Sequence, residues 1–205
     1  MGGQNKVKRA FQVGFENRCV KLIIAAYKKT ITNKSISLGW DENDITAQLH
    51  EYIESSQERI DWSISSSREH HLPKNSIQKV KGFAAKYPRI DLRFVTIKSK
   101  LEYQYFFEAK NLRENDSALK QRYIKTGIDS FSSEKYSNGC LIGYLLYGNA
   151  EKTIKGINLI LEQYRRKPEV LFKRYNIYHD NYYESSHINI PCLKHYIFNF
   201  TIITD

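Results

Sequence analysis

Asp91, Glu108 and Lys110 are the residues whose types and spacing could do chemistry. They belong to two stretches rich in apolar, aromatic and β-branched residues, 90–97 and 102–107, separated by the mostly polar Lys98-Ser99-Lys100-Leu101. That pattern predicts an antiparallel hairpin. If Ile97 pairs with Glu102 across a four-residue loop, Asp91 lies directly opposite Glu108, and opposed residues have Cβ atoms about 4.5–5.5 Å apart. Lys110, two residues past Glu108, emerges on the same face, while Phe107 and Ala109 point the other way. Two facing carboxylates repel, so one holds a proton unless a cation joins them. Mg²⁺, or Mn²⁺, suits such hard oxygen donors and keeps several waters. A carboxylate-bound Mg²⁺ polarises a phosphoryl oxygen and activates water. Lys110 is placed to position or deprotonate that water and to offset charge in the transition state. These are the parts of a phosphodiester hydrolase. The plain alternative is a salt-bridged surface hairpin.

Cations gather around this trio. Arg113, Lys120, Arg122 and Lys125 follow Lys110 closely, and on a helix beside the site they would hold phosphates. The alternative is a solvated helix face. His70, His71, His179, His187 and His195 show no zinc spacing with a cysteine, and are read as structural or surface groups. Tyr175, Tyr178, Tyr182 and Tyr183 are assigned to strand packing rather than base stacking.

The elements that must position these groups follow from periodicity. Residues 11–29 carry a broad apolar helical face. Asp41 or Asn43 caps a second helix with Ile45, Leu49, Tyr52 and Ile53 on one stripe. Residues 60–65 alternate as a first strand, and a short helix is expected over 75–86. After the hairpin come a helix over 116–131, a turn at Asn138-Gly139, a buried strand over 140–147 and a helix over 150–166. Two further strands are expected over 177–189 and 193–203. A hairpin followed by a helical crossover implies an α/β fold, with a mixed β-sheet flanked by helices.

The totals fit one soluble domain of 205 residues with 41% hydrophobic and 26% charged residues. A net charge of +10 favours a polyanionic partner. No apolar run is long enough to span a membrane and no signal-peptide core is present, so no membrane partner and a cytoplasmic location are expected. Cys19, Cys140 and Cys192 are odd in number and widely spaced, which suits reduced thiols rather than a disulfide framework or a zinc site. Walker, dinucleotide-binding and nucleophile-elbow patterns are absent.

Pro88-Arg89-Ile90-Asp91, followed by Phe106-Phe107-Glu108-Ala109-Lys110, resembles the signature of the PD-(D/E)XK nuclease superfamily, the restriction-endonuclease-like proteins. Two residues separate Pro88 from Asp91 here. Further matches of pattern run through Lys110-Asn111-Leu112, residues 123–131, Lys135-Tyr136 and Gly143-Tyr144, similar to bacterial members linked to defence. The resemblance spans roughly residues 40–165 of a single domain covering 1–205, leaving an N-terminal helix and C-terminal strands as additions. It implies a Mg²⁺-dependent deoxyribonuclease in restriction or anti-phage defence, with Asp91 and Glu108 on the metal and Lys110 assisting the nucleophile. It also implies a further glutamate from a preceding helix. Glu42, on the stripe of Ile45, Leu49 and Ile53, is the first candidate, and Glu16 the second. The chain carries no motor or sensor motif, so a larger ATPase or sensor subunit is an expected partner. A non-catalytic nucleic-acid-binding or assembly subunit and an RNase toxin are the alternatives on the same fold.

Overall fold

The structure is a computed structural model that describes residues 2–72, 87, 89–98, 101–133, 135–136 and 138–203. The expected helix over 75–86 and the hairpin residues Ser99 and Lys100 lie outside the described residues.

A seven-stranded mixed sheet runs in the order β1-β2-β3-β4-β7-β6-β5. Its strands are β1 (Ser65–His71), β2 (Arg89–Lys98), β3 (Leu101–Arg113), β4 (Cys140–Tyr147), β5 (Phe172–Lys173), β6 (Tyr182–Ser185) and β7 (Leu193–Asn199). β3, β4 and β7 are mutually parallel and the remaining neighbours antiparallel. β4 reads Cys-Leu-Ile-Gly-Tyr-Leu-Leu-Tyr and is buried up to Leu146, as expected for a central parallel strand covered on both faces.

Helices flank the sheet. On one face, α1 (Gly2–Asn33) and α2 (Glu42–Glu54) pack Cys19, Ile23, Ile45 and Leu49 against Phe94, Phe107, Ile142, Tyr144 and Phe198. On the other face lie α4 (Ser117–Arg122), α5 (Asp129–Ser132) and α6 (Ala150–Gln163), after a short α3 (Gln57–Asp61). They bury Phe131, Ile157 and Leu161 in one cluster with Leu141, Leu145 and Ile197. Alternate residues of β4 thus serve opposite layers, as the two-residue strand period requires.

Several expectations need correcting. α1 runs past residues 11–29 at both ends: Lys6, Lys8, Arg9 and Ala10 favour helix without an apolar stripe to mark them, and at the other end Thr30 is buried and bonds back to the Ala26 and Tyr27 carbonyls. Of the alternating residues 60–65, only Ser65 belongs to a strand. α3 takes up Gln57–Asp61, Ile60 is exposed, and Ile64 enters the core just before β1 begins at Ser65. The helix over 116–131 is three segments, α4, a π-helical stretch Tyr123–Ile128 and α5. The C-terminal region holds a short β5 besides β6 and β7, and these strands complete the central sheet rather than forming an appendage.

A side chain covers the main chain just before β5. Asn158 of α6 donates to the Leu171 carbonyl at 3.0 Å and accepts the Leu171 N–H at 2.8 Å.

Candidate active site

The hairpin register follows the expected rule. Ile97 faces Glu102, and pairing continues to Leu92 opposite Phe107. Lys98 also faces Leu101, which adds one pair beyond Ile97–Glu102 without shifting the register. The ladder ends one step short of Asp91 and Glu108, which are therefore not a strand pair. Instead, Asp91 Oδ2 accepts the Ala109 N–H at 2.7 Å. Glu108 pairs across its other side with Leu141 of β4. β2 changes face at this point, since Leu92 packs with the α1–α2 layer and Ile90 with the opposite one. A side chain thus replaces the main-chain ladder where β2 and β3 part, and that parting opens a cleft.

Glu108 and Lys110 are deeply placed, with side chains only 7% and 6% exposed. Lys110 Nζ donates to Glu108 Oε1 at 2.8 Å and to the Ala109 carbonyl at 2.6 Å. The same ammonium lies 3.8 Å from Asp91 Oδ2 and 4.0 Å from Glu42 Oε1. Three carboxylates from three elements therefore converge on one cation. Burial pushes the Glu108 carboxyl above its usual range, and the Asp91 charge pushes it further, while Lys110 and the Tyr136 hydroxyl oppose both.

Glu42 reaches this point because Asp41 caps α2. The Asp41 carboxylate accepts the N–H groups of Asn43 and Asp44 at 2.8 and 3.0 Å, which fixes Glu42 in the first turn. Ile45, Leu49 and Ile53 bury the stripe beneath it. Glu42 Oε2 accepts the Asn111 N–H at 2.8 Å and Oε1 accepts from Arg122 at 2.7 Å. Glu16 lies elsewhere, paired with Lys194 at 3.1 Å.

The four expected phosphate-binding cations divide. Arg113 and Arg122 line the cleft of about 420 Å³ together with Glu42, Asp91, Lys110 and Asn111. A bulge between Leu112 and Arg113 carries Arg113 out of register, and it donates to the Leu38 carbonyl at 3.2 Å. Lys120 is instead buried, donating to the Glu114 carbonyl at 2.9 Å beside Gly156. The reason is angular: two residues on a helix stand about 200° apart, so Lys120 and Arg122 cannot share a face. Lys125 sits over the Tyr164 ring at 5.5 Å, and it does not line the cleft.

Two site residues had no role in the sequence reading. Tyr136 donates to Glu108 Oε2 at 2.7 Å, and its hydroxyl also lies 3.0 Å from the Arg89 carbonyl. It is held by the Phe106 and Phe131 rings. Burial and the neighbouring Glu108 carboxylate push its phenol far up, so it stays a donor. Asn111 gives its N–H to Glu42 and its side-chain amide to the Trp40 carbonyl, while its Oδ1 is buried without a hydrogen-bond partner among the described residues. Lys135-Tyr136 is part of the matched pattern, but a tyrosine after a polar stretch without periodicity carries no sign of which carboxylate it meets. Asn111 was readable only as the residue after Lys110.

The donor set suits a hard divalent cation, and the three carboxylates already surround a positive charge. As arranged, however, Lys110, Arg122, Tyr136 and two main-chain N–H groups occupy five of their six oxygens, leaving Asp91 Oδ1 without a hydrogen bond among the described residues. No group of three or more His, Cys, Asp or Glu is poised as a metal cage among the described residues. Nor is any described helix long and apolar enough to cross a membrane. No family model, curated protein or solved structure matches the chain.

Proposed function

We propose that this chain is a metal-dependent deoxyribonuclease with a restriction-endonuclease-like core, a member of the PD-(D/E)XK superfamily. The observation that carries the reading is the convergence of Asp91, Glu108 and Glu42 on Lys110 at a cleft lined by Arg113 and Arg122. Asp91 and Glu108, with Glu42 beside them, are the residues that would hold Mg²⁺ or Mn²⁺. The bound ion would supply Lewis acidity at the scissile phosphate and lower the pKa of water.

The chain's own residues do the rest. Arg122 and Arg113 orient the phosphate backbone through charge-assisted hydrogen bonds. Lys110 moves from its carboxylate contacts to hold the attacking water and the charge that builds on the phosphoryl oxygens. Tyr136 keeps Glu108 in one rotamer. The defence or restriction role, and an ATPase or sensor partner, rest on the sequence resemblance alone. Incubating supercoiled plasmid with the protein and Mg²⁺ or Mn²⁺ tests the assignment. Nicking should occur and be lost in Lys110→Ala and Asp91→Ala, and a mutant that cuts as well as wild type refutes it. Parallel digestion of RNA separates an RNase toxin from a deoxyribonuclease.

One observation favours a second reading, a nucleic-acid-binding subunit without cleavage. Five carboxylate oxygens are already engaged by protein donors. DNA binding that survives Asp91→Ala, with no cleavage under any divalent metal, would establish it.

A further inference from the structure

We infer that the outward face of α1 is a second docking surface, separate from the cleft, for the backbone of duplex DNA. The choice of DNA among polyanions rests on the nuclease reading above. α1 carries seven cations, Lys6, Lys8, Arg9, Arg18, Lys21, Lys28 and Lys29, against one carboxylate, Glu16. That is a net +6 of the chain's +10 on one helix. All seven cations are exposed, and none forms an ion pair among the described residues. Glu16 is neutralised by Lys194.

At 100° per residue, Lys6, Arg18, Lys21, Lys28 and Lys29 fall within an arc of about 140°. That arc lies opposite Cys19, Ile23, Ala26 and Thr30, which are buried. Lys6 and Lys29 are separated by about 35 Å along the axis, close to the roughly 34–36 Å of one turn of B-DNA. Three of the cations are propped on rings that steady them without cancelling their charge. Arg18 stands 5.7 Å from Trp62, Lys21 5.1 Å from Tyr178 and Lys29 4.6 Å from Tyr52.

A separate observation concerns the residues between the cations. Ala10, Gly14 and Ala25 are exposed on the same side. Gly14 sits mid-helix, where it destabilises by roughly 1 kcal/mol relative to alanine. A Cβ built there meets nothing within 4 Å among the described residues, so their packing gives no reason for the glycine. Small residues between unpaired cations let a phosphate backbone approach the helix closely.

The test is fluorescence anisotropy of a labelled duplex with the full chain in EDTA, across a salt series. Wild type is compared with Lys6→Gln/Lys21→Gln/Lys28→Gln and with a charge-matched control, Lys155→Gln/Arg165→Gln/Lys167→Gln, all at exposed positions. The α1 triple should weaken binding at least about tenfold and reduce the slope of log K against log salt by roughly 0.9 per lost contact. The control should change little. Equal loss in the two triples overturns the inference, as does α1-dependent binding to phosphatidylserine vesicles without binding to DNA. Nicking that persists while DNA binding ignores α1 refutes this surface and leaves the nuclease reading standing. Binding that needs α1, with no nicking in any metal, does the reverse.

Discussion

Replacing Lys110 with Met keeps the bulk of the side chain and removes its charge from the point where three carboxylates meet. Glu108 would then face Asp91 with no cation 2.8 Å away. Breaking a buried ion pair by removing one partner costs about 3–5 kcal/mol. Glu108 has a smaller alternative, which is to bind a proton. From an ordinary carboxyl value of 4.5, protonation costs about 3.4 kcal/mol at pH 7 and about 1.4 kcal/mol at pH 5.5, at 1.36 kcal/mol per unit. The sign follows from linkage: a carboxyl raised in the folded state binds more protons there, so folding gains as the pH falls. Urea unfolding in EDTA should therefore show a loss of about 3 kcal/mol near pH 7 that shrinks by more than half near pH 5.5. If the freed carboxylates gather a divalent cation, Mn²⁺ at a hundredfold excess over its Kd restores about 2.7 kcal/mol. A loss that is identical at both pH values and indifferent to Mn²⁺ would refute the picture of three carboxylates held together by one cation.

Other groups give independent checks. His195 is fully enclosed, its Nδ1 2.9 Å from the Tyr123 hydroxyl and its Nε2 2.7 Å from Ser185 Oγ, and burial, aided by His187, pushes it down to about 3. The unfolded state therefore binds the extra proton below about pH 6.5, and acidification from about pH 7 to 5 removes about 2 kcal/mol through this group; an NMR ring signal titrating near pH 6 in the folded protein would contradict this. Tyr136→Phe should slow nicking roughly tenfold, because a residue that orients a metal-binding carboxylate is worth about 10–100-fold; an unchanged rate removes Tyr136 from the site. Gly139 has φ of +139°, and a Cβ there would lie 2.2 Å from the Phe106 carbonyl oxygen, so Gly139→Ala should cost at least about 2–3 kcal/mol. Gly14→Ala should instead stabilise by up to about 1 kcal/mol, and thermal melts showing similar effects at the two positions would sink the backbone argument.

The centre of the site was legible because strand alternation is a strict rule. A period of two places Glu108 and Lys110 on one face whatever the rest of the sheet does, and pairing of Ile97 with Glu102 brings Asp91 close. The Asp41 cap and the Ile45–Leu49–Ile53 stripe were equally local, and together they delivered Glu42. What was not legible depends on other elements. Lys120 looked like its neighbours in sequence, but α4 packs on α6 and its stem follows that contact inward. Ile60 and Trp62 alternate like a strand, yet α3 takes Ile60 into its last turn and ends on Trp62, whose N–H bonds back to the Glu58 carbonyl. Tyr136 reaches Glu108 from 28 residues away, a distance over which strand and helix periodicity assign no contact, so its place in the matched pattern came without a role. The end of the ladder before Asp91 arises from the divergence of β2 and β3, which no reading of a single hairpin contains.

The Asn158 contact with Leu171 has a consequence for solubility. A terminal strand normally offers free N–H and carbonyl groups on which a strand of another molecule can grow. Asn158 satisfies both groups of Leu171 from within the same chain, so the β5 side of the sheet offers a growing strand fewer docking points. Apolar residues are exposed nearby, Phe172 and Leu159 among them, and they would otherwise make this edge adhesive. At high protein concentration such an edge would nucleate aggregates. One carboxamide on a neighbouring helix counters that hazard.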